Sequence, residues 1–167
     1  RCKSLAFVAS QDGMLSLSAG NDNAWGIMSL QKHTSSGFNL APRGDENDGN
    51  ATSTFSLKGG VRLFEGLSLD GVVRRTLKTG DRDDEDLSLA PGIPVPQFDS
   101  RSHFTSGIWL YGVNAKLALL DGAWVHEVHA EKNETRNTDL LASPFFAPFE
   151  LFEDYTAATE KLRYTST

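Results

Sequence analysis

Two acidic clusters hold the residues best suited to chemistry in this sequence. The segment GDENDGN, residues 44–50, holds the first cluster at 45–48, and the segment GDRDDEDLS, residues 80–88, holds the second at 81–86. Carboxylate and amide oxygens are the ligands that hard cations prefer, and Ca²⁺ takes roughly six to eight of them. Neither cluster matches the EF-hand loop, because no Glu stands at the required last position. The sequence therefore predicts either a calcium site outside the EF-hand class or two solvated acidic loops.

The other reactive side chains form no recognisable catalytic motif. His126 and His129 stand three positions apart, so they lie on opposite faces of a strand, because side chains alternate along a strand. A metal ion shared between them is not expected. The sequence contains no nucleophile elbow, phosphate-binding loop or pair of catalytic carboxylates. We therefore expect a protein that is not an enzyme.

Composition excludes several classes of protein. The 167 residues carry a formal net charge of −6 at pH 7, which argues against nucleic-acid binding, since that needs a basic surface. Cys2 is the single cysteine, so no internal disulfide framework forms. No apolar run approaches the ~18–20 residues of a membrane-spanning helix, whereas a spanning β-strand needs only ~9–11 alternating residues. The sequence therefore excludes membrane-spanning helices but not membrane-spanning β-strands.

The elements that carry these residues are alternating β-strands. In FSLKGGVRLFEGLSLDGVVRRT, residues 55–76, apolar side chains take one set of alternate positions and Ser, Lys, Arg and Asp take most of the other. A period of two predicts strands with one apolar and one polar face. Eight segments show this pattern: 3–9, 14–19, 24–34, 51–63, 67–77, 105–119, 123–133 and 159–167.

Short turns and long loops alternate between these segments. Because alternate connections of an up-and-down meander emerge at opposite ends, the short turns lie at one end and the long loops at the other. Outer-membrane barrels have this asymmetry, with short periplasmic turns and long extracellular loops. Residues 11–13 are expected to form the single short turn at the loop end. The short turns are 21–23, 64–66 and 120–122, and the long loops are about 35–50, 78–104 and 134–158.

Alternation also fits a soluble sheet whose apolar face is a protein core. Strand length favours a membrane, because segments 51–63 and 105–119 exceed the ~5–6 residues typical of soluble sheets. Aromatic residues near strand ends are typical of interfacial girdles; Phe64 and Trp124 adjoin short turns, and Trp109 stands near a long loop. A membrane barrel is therefore favoured. A soluble or secreted β-sheet binding domain, or a complete small eight-stranded outer-membrane barrel, are the alternatives.

The chain resembles the barrel of TonB-dependent outer-membrane receptors, especially the cobalamin-receptor-like branch. The similarity rests on DGMLSLSAG, AWGIMSLQKHTSSGFN, RGDENDGNATSTFSLKGGVRLFEGLSLDGVVRR, LALLDGAWVHEVHAEKNETRN and KLRYTST, and it covers essentially the whole chain. It implies an all-β fold, an antiparallel up-and-down transmembrane β-barrel of about 22 strands. Residues 1–167 would form an early section of that barrel, about eight strands, without the plug domain.

What the resemblance implies about function is active transport. Such a receptor would import a scarce nutrient chelate of the cobalamin, siderophore or haem class across the bacterial outer membrane. The TonB complex would energise transport through the plug domain. The implied partners are the TonB complex, a small-molecule chelate and outer-membrane lipid, with no nucleic acid.

The same resemblance narrows the calcium hypothesis. In cobalamin-type receptors, Ca²⁺ orders extracellular loops at acidic positions after the third and fifth strands. The corresponding oxygen ligands here would come from the two acidic clusters and from the segment PGIPVPQFDSR. They are Asp45, Asn47 and Asp48, then Asp81 with Asp83 or Asp84, and Asp99.

Overall fold

A computed structural model describes residues 9–39, 47–85, 96–141 and 151–167, and their side chains except at 83–85, 96–101, 141 and 151. Seven antiparallel strands form one all-β sheet in which each strand pairs with the next along the chain. The sheet is not closed within the described residues, so β1 and β7 are its edges. No helix among the described residues is long and apolar enough to cross a membrane. The strands are β1 Ser10–Gly20, β2 Ala24–Ser35, β3 Asn50–Phe64, β4 Leu67–Glu85, β5 Pro96–Leu119, β6 Trp124–Leu141 and β7 Leu151–Ser166.

The up-and-down strand order predicted from the sequence is confirmed, but the strands are longer than the alternation indicates. The predicted first segment, 3–9, lies almost wholly outside the described residues. Much of the predicted long loops 78–104 and 134–158 is strand, because β4 runs to Glu85 and β5 begins at Pro96, while β6 runs to Leu141 and β7 begins at Leu151. Here polar side chains occupy both faces, and the backbone ladder continues without an apolar pattern to signal it.

The turn expected at residues 11–13 is wrong. These residues lie inside β1, where Asp12 pairs with His33 and Gly13 with Lys32. The Asp12 carboxylate oxygen Oδ1 lies 2.7 Å from His33 Nδ1, a cross-strand contact between directly opposite residues. The turn-forming composition of Gln11-Asp12-Gly13 is overridden because β2 extends far enough to pair with all three residues.

The three predicted hairpin turns are confirmed, and their residue types explain them. Asn21 Oδ1 accepts hydrogen bonds of 2.9 Å from the backbone N–H groups of Asn23 and Ala24. Gly66 has a φ of 91°, a left-handed conformation that favours glycine. The third turn places Leu120 and Asp121 at a φ of 54°, just before Gly122. Because the three turns follow β1, β3 and β5 of an up-and-down sheet, all three lie at one end of it.

Within the described ranges of the chain, the sheet is a single layer without a packed core. Among the described residues no large side chain is fully buried, and Leu15, Leu57 and Val113 are 55%, 47% and 57% exposed. In water, a sheet buries an apolar face against a second layer, because apolar surface of this extent is costly to hydrate. The apolar face of this sheet therefore requires a cover, either a second protein layer or lipid, and the nature of that cover determines the class of function.

Candidate functional site

Strand register assigns each side chain to one of two faces. Leu57 of β3 lies opposite Met28 of β2 and Val73 of β4, and Val113 of β5 lies opposite Ala130 of β6. Directly opposite residues share a face of the sheet. We call this side the apolar face. It carries Leu15, Leu17, Met28, Leu30, Phe55, Leu57, Val61, Leu69, Val73, Trp109, Tyr111, Val113, Leu117, Val128 and Leu162.

The opposite side, the polar face, carries cross-strand contacts between charged and amide groups. Asn114 donates to the Asp70 carboxylate at 3.2 Å. Glu127 lies 3.7 Å from the Lys116 ammonium, and Glu131 lies 3.8 Å from that of Lys161. These pairs are directly opposite each other in the ladder. The two-faced character predicted from alternation is therefore present in the sheet.

The turn end of the apolar face is slanted across the strands. Leu30, Phe55 and Trp109 lie in one row of the ladder, yet they stand about six, nine and ten residues from the turn end of their strands. With a rise of ~3.4 Å per residue and strands ~4.8 Å apart, the line through the turns is inclined about 40° to the perpendicular of the strands. Strands in closed barrels tilt by a similar angle.

The loop end of the apolar face has a border parallel to the line of turns. Lys32, Arg75 and Lys132 are each the ninth residue of β2, β4 and β6, so they lie at one distance from the turns. Phe55 of β3 and Tyr111 of β5 lie between them on the same face. We call these five residues the rim. Between the rim and the turns the face is mostly apolar, and we call that region the belt.

Aromatic side chains cluster at the rim and just beyond it, toward the loop end. The rings of Trp109 and Tyr111 are stacked, with their centroids 5.7 Å apart. The Arg75 guanidinium carbon lies 5.2 Å from the centroid of the Trp109 ring, a cation–π contact that leaves the guanidinium N–H donors available. One border of the belt thus combines a cation with two amphipathic rings.

A second aromatic cluster lies at the turn border of the belt. Trp124 Nε1 donates to Ser166 Oγ at 2.9 Å, and His126 Nδ1 lies 2.7 Å from the Tyr164 hydroxyl. Trp124 is opposite Leu119, so about ten residues of β5 separate this cluster from Trp109. That separation is ~34 Å along the strand and about 26 Å perpendicular to the two slanted borders.

Beyond the rim, toward the loop end, the apolar face becomes ionic. Arg136 donates through Nε and Nη2 to the two carboxylate oxygens of Asp154, at 3.1 and 2.6 Å. This bidentate contact with the Arg136 guanidinium holds the pKa of Asp154 below its usual range. Lys132 forms ion pairs of 2.8 Å with Glu134 and 3.4 Å with Glu160.

The residues predicted to bind calcium are brought to the loop end, but only in part. The backbone N–H of Asp81 donates to the Gly49 carbonyl at 3.0 Å, which places Asp48 beside β4. Asn47 is described and exposed, whereas Asp45 lies outside the described residues. In the described part of the chain, no group of three or more His, Cys, Asp and Glu side chains could hold a metal ion. The strand positions of Asp83, Asp84 and Asp99 are described without their side chains, so the ligand set stays a prediction.

The rim cations were not identified from the sequence. Lys32, Arg75 and Lys132 break the apolar alternation, each in a different segment of the sequence. The signal that could have found them is their shared position, the ninth residue after a hairpin turn. This shared position indicates a common border only because the strand register places all three residues on one face of the sheet.

Comparison of the chain with protein-family models, with curated proteins and with solved structures finds no match. Function is therefore inferred from the two faces of the sheet, from the slanted belt and from the residue pattern. The class that the fold defines is an all-β protein, with seven antiparallel up-and-down strands in one sheet that is open within the described residues.

Proposed function

We propose that this chain forms part of the wall of a transmembrane β-barrel, with its apolar face against lipid and its polar face toward the lumen. The observation that supports this best is the shape of the belt, whose two parallel borders cross the strands obliquely. A planar hydrocarbon slab leaves this outline on tilted strands. Outer-membrane barrels tilt their strands by about 35–45° and carry an apolar band about 25 Å tall between aromatic girdles.

The surface of the belt also favours lipid over a protein layer. Gly26, Gly59 and Gly71 lie in one row of the ladder on the apolar face, so the centre of the belt includes a furrow without side chains. A protein core fills such a furrow with interdigitating side chains, because protein interiors are close-packed. Fluid acyl chains conform to the furrow with no matching partner surface.

The polar face favours a wide lumen over a small barrel. Among the described residues, Lys58, Arg62 and Arg74 form no ion pair, and all three are exposed. A barrel of about eight strands fills its interior with packed side chains, which leaves no room to hydrate three unpaired cations. Large plugged outer-membrane transporters have about 22 strands, and this chain would supply about eight of them.

Within this class, the residue pattern supports a TonB-dependent receptor of the bacterial outer membrane. The protein would bind a scarce nutrient chelate, of the cobalamin, siderophore or haem class, at its extracellular loops. The TonB complex would act through a plug domain to release the chelate into the periplasm. No covalent step is needed, which agrees with the lack of a catalytic motif in the sequence.

Uptake by cells that carry the intact protein tests this function. Labelled cobalamin, haem and ferric siderophores are supplied with and without a protonophore that collapses the proton-motive force. Energised cells are expected to accumulate one chelate, whereas de-energised cells only bind it at the surface. Accumulation that is insensitive to the protonophore would indicate a passive pore, and no binding of any chelate would contradict a receptor.

A further inference from the structure

An open groove of about 550 Å³ lies on the apolar face between β1 and β4, at the rim. Its floor is formed by Leu15, Leu30 and Phe55, which lie in one row of the ladder. In the next row toward the loop end, Gly13 and Ser53 flank Lys32 and leave space above the sheet. A Cβ atom at Gly13 would meet no atom within 4 Å. The groove therefore offers an apolar floor with open space beside Lys32.

Two cations border this groove, and neither has a carboxylate partner in the part of the chain that the structure describes. Lys32 and Arg75 both line it, and no Asp or Glu does so. Neither forms an ion pair among the described residues, in contrast to Lys132, which contacts two carboxylates at 2.8 and 3.4 Å. The Cα atoms of Lys32 and Arg75 are about 12 Å apart from strand spacing and rise, so their long side chains can converge on one group. Arg75 continues the row of Leu30 and Phe55 onto β4, and Lys32 lies in the adjoining row, so both cations adjoin the apolar floor.

We propose that this groove binds the phosphorylated headgroup of an anionic membrane lipid, with Lys32 and Arg75 on the phosphate and an acyl chain along Leu15, Leu30 and Phe55. This inference rests on the proposed membrane function, because it needs the apolar face to be in lipid. The position is consistent with it, since the rim is the border at which the hydrocarbon region ends and headgroups begin. An aromatic ring beside Arg75, from Trp109, is typical of that interface.

Quenching by brominated lipids tests the site in the intact protein. The protein, made cysteine-free except for Leu57→Cys, carries a bimane label on the apolar face beside the groove. It is reconstituted in phosphatidylcholine vesicles with about 20 mol% brominated phosphatidylglycerol or brominated phosphatidylcholine. We expect stronger quenching by the anionic lipid. The double variant K32Q/R75Q is expected to lose that preference by about five-fold for each cation.

A matched control removes the same charge from the other face. K58Q/R74Q changes two cations of the polar face and is expected to keep the lipid preference. Inorganic phosphate at about 10 mM is expected not to abolish it, because the acyl chain contributes to binding. Abolition by phosphate would instead identify a site for free anions and overturn the lipid assignment.

The outcomes separate this inference from the proposed function. Equal quenching by both lipids, or a preference that K32Q/R75Q retains, would overturn the lipid site and leave the membrane-facing surface intact. No quenching by either lipid would overturn both, because Leu57 would then not face acyl chains.

Discussion

A charge placed at the centre of the belt should lower the free energy of unfolding, by an amount that depends on the depth of the residue in the bilayer. Val113 lies about midway along the belt on β5 and is 57% exposed, so its replacement removes few protein contacts. Its cross-strand neighbours on the apolar face, Gly71 and Ala130, are small and leave room for a longer side chain. The substitution Val113→Arg therefore tests the medium around the sheet with little disturbance of packing.

The expected cost follows from the depth of each position. At the midplane of a bilayer an arginine on the lipid face costs about 2–4 kcal/mol, and near the interface about 0–1 kcal/mol. Leu119 lies ~20 Å along β5 from Val113, which is about 16 Å along the membrane normal at the observed tilt. We therefore expect a cost of about 2–4 kcal/mol for Val113→Arg and about 0–1 kcal/mol for Leu119→Arg.

The neighbouring residue gives a matched control at the same depth. Asn114 faces the other side of the sheet, 3.2 Å from the Asp70 carboxylate, so Asn114→Arg puts the new charge beside an acid. Its expected cost is below about 1 kcal/mol. Reversible guanidinium unfolding of the intact protein from phospholipid vesicles measures all three values. Equal costs for Val113→Arg and Asn114→Arg, or a cost for Leu119→Arg as large as for Val113→Arg, would refute the lipid-facing belt.

Three further substitutions test other parts of the sheet. Because Arg136 lowers the pKa of Asp154, the stabilisation from this carboxylate is present above its ordinary pKa of about 3.9 and is lost as pH falls through the lowered value. Asp154→Asn should therefore reduce the fall of the unfolding midpoint at acidic pH, and an unchanged fall would contradict this role. A Cβ at Gly60 would lie 2.5 Å from Trp25 Nε1. Gly60→Ala should therefore alter the near-ultraviolet circular dichroism of the indole and lower the free energy of unfolding by about 1 kcal/mol. An unaltered spectrum would show that the indole does not lie over the glycine. Asp81→Asn should weaken Ca²⁺ binding by about ten-fold in calorimetry on the intact protein; no millimolar binding by the unsubstituted protein would remove the calcium hypothesis.

The two faces of the sheet could be predicted from the sequence because they depend on local alternation. In segment 51–63, a period of two places Phe55 and Leu57 on one side and Ser56 and Lys58 on the other, and the fold retains this division. The hairpin turns were predictable for the same reason, since Asn21 and Gly66 carry turn chemistry in their own side chains or backbone.

The loop ends of the strands could not be predicted from alternation. Thr105 pairs with Thr79 and with Thr138, and polar residues occupy both faces there. The ladder that extends these strands consists of backbone hydrogen bonds, which any residue except proline can donate, so it leaves no side-chain pattern. The error at Asp12 has the opposite origin, because a local turn signal was overridden by a non-local partner, His33.

The slant of the belt is a property of register and was therefore beyond sequence reasoning. The offset between hairpins appears only when Phe55 is known to lie opposite both Leu30 and Arg75. The same holds for the rim, because Lys32 and Lys132 are far apart in the chain and share only their distance from a turn. Register thus supplies the geometry that local patterns lack.

The most direct measurement of lipid contact is the accessibility of nitroxide labels placed one at a time along β3 in the reconstituted intact protein. Molecular oxygen concentrates in the bilayer interior, whereas a water-soluble nickel chelate stays in the aqueous phase. Oxygen should relax labels at Leu57 and Val61 more strongly, and the nickel chelate should do so at Lys58 and Arg62, with a period of two. Nickel accessibility that is equal on both faces, or protection of Leu57 and Val61 from both reagents, would show that no lipid covers the apolar face.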